Sequence, residues 1–244
     1  MSIDIQRTVG EIALERPQAA AVFEKLGIDY CCGGGKALVS ACEAAGANVA
    51  QVTHLLEQAA VAGKPGTDAG NWAEQSLASL IGHIVEKHHA YCREEGARLQ
   101  PLLEKVVSKH GERHPELTQA QNLFTSLRDD LSMHMMKEER VLFPYVVALE
   151  DSSSRQSISP RAPFGTVQNP VRMMVQEHDS AGQLLQQIRG VTRNFTVPED
   201  ACASFKALYQ GLEAFEADLH QHIHLENNLL FPRAIALEEA GQSA

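Results

Sequence analysis

The sequence lacks the apolar run of about 20 residues that a membrane-spanning helix requires. The start of the chain, Met1 to Gln6, also lacks the basic and apolar regions of a signal peptide. Positive charge is scarce, since 21 Lys and Arg residues stand against 31 Asp and Glu for a net charge of -10, and neither a basic run nor a series of base-stacking aromatic residues is present. These absences argue against nucleic acid or an anionic membrane surface as the main partner, and we expect a cytoplasmic protein.

Cysteine is rare as well, and its positions do not suggest pairing. The five cysteines, at positions 31, 32, 42, 92 and 202, are odd in number and their spacing fits no disulfide framework. This usage agrees with a reducing compartment. The 44% of hydrophobic residues indicate a globular protein, and 244 residues suffice for one helical bundle with a small satellite domain.

The sequence shows no strand signals and predicts an all-α fold. Apolar residues recur at spacings of three and four in segments that predict short helices over residues 1–60 and a four-helix bundle over residues 71–244. The stretch 61–70, rich in Gly and small residues, is predicted to be a flexible linker. In the bundle, Thr196 to Glu199 should start the fourth helix. Pro144 should disturb the second helix and Pro232 should end the fourth.

One motif occurs twice in the predicted bundle. His134-x3-Glu138 is followed by Leu-Phe-Pro, and His222-x3-Glu226 is followed by the same three residues. On an α-helix this spacing places imidazole and carboxylate on one face, about 6 Å apart along the axis. A single copy is more often a solvated pair, but two copies in register indicate metal ligands.

A lone histidine lies at a matching distance upstream of each motif: His89 before the first and His178 before the second. Each half of the bundle therefore supplies one histidine and one His/Glu pair. Four imidazoles and two carboxylates form a ligand set for two metal ions, and this donor chemistry suits iron or manganese better than structural zinc. The predicted ligands are His89, His134, Glu138, His178, His222 and Glu226.

Other interpretations of these histidines remain open at this point. The six residues could be buried histidines that are hydrogen-bonded to glutamates without a metal, although burial of such groups is costly. His88 is adjacent to His89, but register with the second half favours His89 as the ligand and places His88 on the rim. Glu86-x-x-His89 matches the spacing of ferritin-like di-iron sites, yet the second half has Val175 at the matching position. We expect His220 and His224 at the surface.

Cys31 and Cys32 lie in a predicted glycine-rich turn. The sequence Gly33 to Lys36 lacks the flanking residues of a phosphate-binding Walker loop. Thiols before a helix N-terminus and near Lys36 should have a lowered pKa and bind metal, which is one interpretation of the pair. The other is that one cysteine is buried, one is exposed, and neither has a role.

The sequence from Asp29 through Cys31, Cys32 and Gly35, followed by the two His/Glu motifs, resembles the iron-sulfur cluster repair di-iron proteins of the ScdA type. The resemblance spans nearly the whole chain. It implies a hemerythrin-like bundle with two non-haem iron ions, oxo- or hydroxo-bridged, held by the six residues listed above. It further implies a stress protein that restores iron-sulfur clusters by donating iron and that reacts with nitric oxide.

The resemblance also implies the partners, which would be damaged iron-sulfur proteins or their assembly scaffold, with nitric oxide as a small-molecule ligand. Cys31 and Cys32 would be iron-transfer thiols. Two alternative functions are a hemerythrin-like sensor of nitric oxide or oxygen and a di-iron nitric oxide reductase. The sequence leaves a homodimer open.

Overall fold

The structure, a computed structural model, describes residues 3–62, 72–157 and 160–242. Within these ranges the chain is helical, and one isolated antiparallel bridge joins Thr8 to Ala37. The predicted all-α class is confirmed. The predicted linker lies outside the described residues, except for its first two positions, which end a helix.

Four short helices form the N-terminal part: α1 (Val9–Glu15), α2 (Gln18–Leu26), α3 (Leu38–Ala44) and α4 (Val49–Ala62). The remaining helices include three π-helical segments, in which the hydrogen bonds reach one residue further than in an α-helix. In chain order they are α5 (Leu77–His83), π1 (Ile84–His89), α6 (Ala90–His110), α7 (Glu116–Lys137), π2 (Glu138–Leu142), α8 (Phe143–Ser154), α9 (Gln168–Val191), α10 (Ala203–Leu225), π3 (Glu226–Leu230) and α11 (Phe231–Gln242).

By packing, the chain divides into two compact units. The first contains Met1–Ile81, Val146–Arg161 and His220–Ala244, and the second contains Gly82–Tyr145 and Ala162–Leu219. Each unit is therefore composed of segments that are distant from one another in the sequence.

In the first unit, α1 to α4 surround a small apolar core that includes Val9, Phe23, Leu38 and Leu56. The Thr8 hydroxyl accepts the Glu11 N–H, and the Glu11 carboxylate accepts the Thr8 N–H, which completes a capping box at the start of α1. Helix α2 ends at Gly27, whose φ of 65° is readily adopted only by glycine. These local signals explain where α1 begins and where α2 ends.

In the second unit, four helical segments form a closed bundle. Helix α7 packs against α6 and α9. The Arg189 guanidinium on α9 donates to the Glu216 carboxylate on α10, and the Tyr91 ring on α6 stacks on Phe215 of α10 at a centroid distance of 6.5 Å. Each helix thus has two neighbours, and apolar residues such as Phe124 are fully buried between them.

The two repeated motifs each produce a π-turn. The Phe143 N–H bonds to the Glu138 carbonyl, and the Phe231 N–H bonds to the Glu226 carbonyl, five residues back in both cases. In both copies the α-helical hydrogen-bond pattern is therefore interrupted directly before the Phe-Pro pair. The predicted disturbance at Pro144 agrees with the π-helical segment that precedes it, whereas α11 continues through Pro232 to Gln242, so the predicted helix end at Pro232 is wrong.

The start of α10 also differs from the prediction. Residues Arg193, Asn194 and Phe195 have positive φ values between 52° and 55°, and the Ala201 N–H bonds to the Pro198 carbonyl. The chain is therefore still turning at Thr196 to Glu199, and the helix begins only at Ala203.

Candidate metal centre

Four of the predicted ligands meet in the second unit. The Nε2 atoms of His134 and His178 are 3.0 Å apart, and the His134 Nε2 is 3.2 Å from the Glu138 Oε1. The other carboxylate oxygen, Oε2, lies 3.4 Å from the Nε2 of His89. All four side chains are buried, with at most 3% of their surface exposed.

The helical elements determine these positions. His134 lies near the end of α7, and because α-helical geometry persists to Lys137, the spacing to Glu138 is one helical turn. Glu138 is the first residue of π2, and His89 is the last residue of π1. His178 lies in the middle of α9. Three ligands thus lie on or beside π-helical segments, which are frequent at functional sites.

The remaining two predicted ligands form an equivalent pair in the first unit. The His222 Nε2 is 3.1 Å from the Glu226 Oε1, and both side chains are buried. His222 lies near the end of α10 and Glu226 begins π3, so the pair has the same relation to its helix as His134 and Glu138. The sequence repeat is therefore also a structural repeat.

The observed separations match those between neighbouring ligands of one metal ion. Imidazole nitrogens and carboxylate oxygens bind zinc at about 2.0–2.2 Å, and similar bonds at right angles place two ligands about 3 Å apart. The buried His/Glu cluster could hold a metal ion. Glu138 directs one carboxylate oxygen at His89 and the other at His134, so its two oxygens face two different imidazoles.

Two carboxylates that the sequence interpretation missed bind the far sides of the ligand imidazoles. The Nδ1 of His89 lies 2.7 Å from the Glu139 Oε1, and the Nδ1 of His134 lies 2.8 Å from the Glu177 Oε2. An imidazole that donates from Nδ1 has its lone pair on Nε2, the nitrogen that faces Glu138. The adjacent carboxylates therefore hold both imidazoles in the tautomer that binds metal.

Both outer carboxylates are held ionised. Burial alone would raise the pKa of Glu139, but hydrogen bonds from Arg93 and His89 outweigh it, and the pKa lies below its ordinary value. The pKa of Glu177 is lowered in the same way, because hydrogen bonds from Lys137 and His134 outweigh the effect of burial. The sequence signal for Glu139 was its position directly after the ligand Glu138. Glu177 likewise directly precedes His178.

The structure distinguishes His89 from the adjacent His88 and shows whether Glu86 lies beside it. His88 is buried, not on the rim as expected, and its Nδ1 lies 3.0 Å from the Asp218 carboxylate. Glu86 is exposed, so it does not join His89 in a ferritin-like arrangement. His89 is the residue of this group that contacts Glu138.

The Cys31–Cys32 turn forms a second, smaller cluster in the first unit. The Asp29 Oδ1 accepts the N–H groups of Cys31 and Cys32, at 3.1 and 3.0 Å, and the Cys31 thiol donates to the same oxygen. The two Sγ atoms are 4.0 Å apart. Asp29, Cys31 and Cys32 together could hold a metal ion.

The expected lowering of the thiol pKa is wrong for Cys31. Its hydrogen bond with Cys32, its burial and the negative charge of Asp29 all raise the pKa of the Cys31 thiol well above its ordinary value. Helix α3 begins only at Leu38, which is too far along the chain for its N-terminus to stabilise a thiolate at Cys31.

The expectation that His224 lies at the surface is also wrong, and His220 is only partly exposed. The His224 Nδ1 lies 3.2 Å from the Tyr30 carbonyl, and burial lowers the pKa of His224 to about 4. The His220 Nδ1 lies 2.7 Å from the Glu24 carboxylate. Both contacts involve the N-terminal helical part, whose packing against this helix could not be read from the helical period alone.

Asn228 completes this contact. Its amide Nδ2 donates to the carbonyls of Tyr30 and Cys31, at 3.2 Å each. A Cβ added at Gly34 would come within 2.2 Å of the Asn228 Oδ1, so the glycine of the cysteine turn makes room for this side chain. The sequence contains one signal that Asn228 has a role of its own, since the first motif has Arg140 at the corresponding position.

A closed helical bundle whose ligand histidines and glutamate converge at a buried point defines a cation-binding protein of the hemerythrin class. Among the described residues, none of the helices has the length and apolar character to cross a membrane. Residues 80–234 match the model of the Hemerythrin HHE cation binding domain. Residues 5–60 match the ScdA_N model, a domain of unknown function.

The chain is also similar to curated proteins along nearly its whole length. It is 38% identical over 232 residues to the iron-sulfur cluster repair protein YtfE of Musicola paradisiaca, covering 94% of this chain and 96% of the relative. It is 35% identical over 230 residues to the probable iron-sulfur cluster repair protein of Haemophilus influenzae, covering 94% of this chain and 97% of the relative. The chain belongs to the family of hemerythrin-type iron-sulfur cluster repair proteins.

Proposed function

We propose that this protein repairs iron-sulfur clusters damaged by nitrosative or oxidative stress, and that it does so by donating iron from a pair of non-haem iron ions. The observation that carries the proposal is the position of Glu138, with one carboxylate oxygen 3.2 Å from His134 and the other 3.4 Å from His89. A carboxylate placed between two imidazoles in this way suits two ions better than one.

The proposed ligand set contains all six residues predicted from the sequence, since His222 and Glu226 repeat the spacing of His134 and Glu138. The Hemerythrin HHE model spans residues 80–234, a range that contains all six. In this proposal these six residues would hold two non-haem iron ions, with Glu138 and Glu226 as the carboxylate ligands. Histidine and carboxylate donors without thiolate suit iron, which supplies the metal that a damaged cluster has lost.

The protein's own residues hold and orient this iron. Glu139 and Glu177 keep the His89 and His134 imidazoles in the metal-binding tautomer, and the buried position of the ligands limits access of water. Bound iron would supply the coordination chemistry toward small molecules such as nitric oxide.

Cys31 and Cys32 are the proposed transfer thiols. Together with Asp29 they form a set that could hold a metal ion, and Cys32 is partly exposed. Thiolate sulfur is the usual ligand of iron in iron-sulfur clusters, so such a set could accept iron from His/Glu ligands and pass it to a cluster. The proposed partners are damaged iron-sulfur proteins or their assembly scaffold, and the proposed location is the cytoplasm. The homodimer remains a prediction.

Iron titration of the metal-free protein, followed by a repair assay, tests this proposal. We expect about two irons for each chain, the stoichiometry of carboxylate-bridged di-iron bundles, and reactivation of a damaged cluster enzyme coupled to loss of iron. Glu138→Gln should reduce the iron content and the reactivation of the enzyme, whereas Glu94→Gln, at an exposed position on α6, should change neither quantity.

Two results would contradict the proposal. Stoichiometric zinc without iron uptake would reject the di-iron site. Steady turnover of nitric oxide with an electron donor, without iron transfer, would favour the reductase alternative over repair.

A further inference from the structure

A second site with potential chemistry lies in the four-helix unit, where α6 ends and α10 begins. His110 is the last residue of α6, and Cys202 immediately precedes α10. The His110 Nε2 and the Cys202 Sγ are 3.2 Å apart. Cys202 is exposed, whereas only 8% of the His110 surface is exposed.

The surroundings of the other His110 nitrogen show which of the two residues is the donor in this hydrogen bond. The Nδ1 atom is buried and has no hydrogen-bond partner. A buried N–H without an acceptor is rarer than a buried acceptor without a donor, so the proton belongs on Nε2 and Nδ1 carries the lone pair. The imidazole therefore donates to the Cys202 sulfur and does not act as its base.

Two further features lie close to this sulfur. The Cys202 carbonyl accepts the Lys206 N–H, which places Cys202 at the N-cap of α10, where the helix dipole attracts negative charge. The nearby Asp200 carboxylate would repel such a charge, but Arg113 and His114 bind it, at 3.1 and 3.0 Å. An exposed thiol with a buried N–H donor at its sulfur is a nucleophile accessible to small molecules.

We propose that Cys202 is a thiol-modification site that forms a mixed disulfide with a low-molecular-weight disulfide. The Cys202 thiol releases its proton to water, and the thiolate attacks one sulfur of the reagent. The new bond joins Sγ to that sulfur, the bond within the reagent breaks, and the leaving thiolate takes a proton from water. Cys202 is oxidised and half of the reagent is reduced to a thiol.

This site is separate from the proposed iron ligands. His110 lies about 30 Å along α6 from His89, given a rise of about 1.5 Å per residue. The inference therefore does not depend on iron binding, and its test can succeed or fail independently of the repair function.

The test compares the rate of mixed-disulfide formation at each cysteine of the full chain with glutathione disulfide, followed by peptide mass spectrometry. Cys202 should react much faster than the buried Cys42 and Cys92. His110→Leu, which removes the donor, should slow Cys202 about threefold to tenfold, the factor that corresponds to loss of a single hydrogen bond at the reacting sulfur. His110→Gln should retain a rate within about twofold of the wild type, since its amide can donate from the same place.

The direction of the change in the Cys202 reaction rate distinguishes loss of the donor from a folding defect. A His110→Leu variant with loosened helices would react faster at both Cys92 and Cys202, whereas loss of the donor slows Cys202 alone. A Cys202 rate in His110→Leu that is unchanged or higher than in the wild type overturns the role of His110. A wild-type Cys202 that reacts no faster than Cys92 overturns the site itself.

Discussion

Single side chains determine which nitrogen a ligand imidazole presents to the metal. In His89 and His134, Nδ1 faces a carboxylate and Nε2 faces Glu138. If the proton were on Nε2, the ring would lose the hydrogen bond to Glu139 or Glu177 and could not bind metal through that nitrogen. In the proposed site, the outer carboxylates would therefore contribute to iron binding without touching iron.

Glu139→Gln and Glu177→Gln test this contribution. Each amide keeps the size of the side chain but removes the charge that holds the imidazole, and we expect iron affinity to fall about 10- to 100-fold, the usual cost of removing such a partner. Competition with a chelator at fixed pH measures the change. Glu94→Gln is the matched control, and equal affinity in all three variants would show that the outer carboxylates have only a structural role.

Among the helical elements, α10 with π3 has two different tasks. His222 and Glu226 form the ligand pair, while His220, His224 and Asn228 contact the N-terminal helical part. The first copy of the motif carries Ser132, Met136 and Arg140 at the corresponding positions. The two copies thus share the proposed metal ligands and differ at the three positions where the second copy contacts the N-terminal helical part.

Asn228→Ala tests the second task. The substitution leaves the carbonyls of Tyr30 and Cys31 without the amide donor, and we expect the free energy of unfolding to fall by about 1–3 kcal/mol. Denaturant unfolding measures this, with Gln221→Ala at an exposed position of the same helix as control.

A double-mutant cycle with Gly34→Ala sharpens the test. The added methyl group would clash with the Asn228 amide, so Gly34→Ala should be costly alone and less costly when Asn228 is already alanine. Strictly additive effects would show that the two residues do not interact.

For the whole molecule, iron binding and folding should be linked. When each imidazole of the cluster carries its proton on Nδ1, its Nε2 atom is a hydrogen-bond acceptor, as the carboxylate oxygens are. Acceptors that face one another repel unless a cation or a proton lies between them. A bound ion converts this repulsion into attraction. The fold should therefore be more stable with iron than without it.

Thermal unfolding with and without iron checks this expectation. Free iron at 100 times its dissociation constant should stabilise the native state by about 2.7 kcal/mol, if iron does not bind the unfolded chain. Glu138→Gln should lose most of this gain and Glu94→Gln should keep it. A wild-type midpoint that does not respond to iron would refute the link.

The sequence alone determined the helical class, the duplicated His/Glu motif and four of the residues that the structure brings together in one unit. It could do so because these features depend on local periodicity: a spacing of four residues on a helix holds in any tertiary setting. The capping box at Thr8 and the end of α2 at Gly27 are likewise set by local hydrogen bonds and backbone conformation.

Only the tertiary structure decided which residues surround those ligands. Glu177 supports His134 from another helix, and His224 is buried because the N-terminal part covers it, so neither role follows from position along one helix. The raised pKa of Cys31 has the same origin, since it depends on burial and on the neighbouring Cys32 and Asp29 side chains. Periodicity specifies the face on which a side chain lies, but the partner on that face is determined by how distant segments pack.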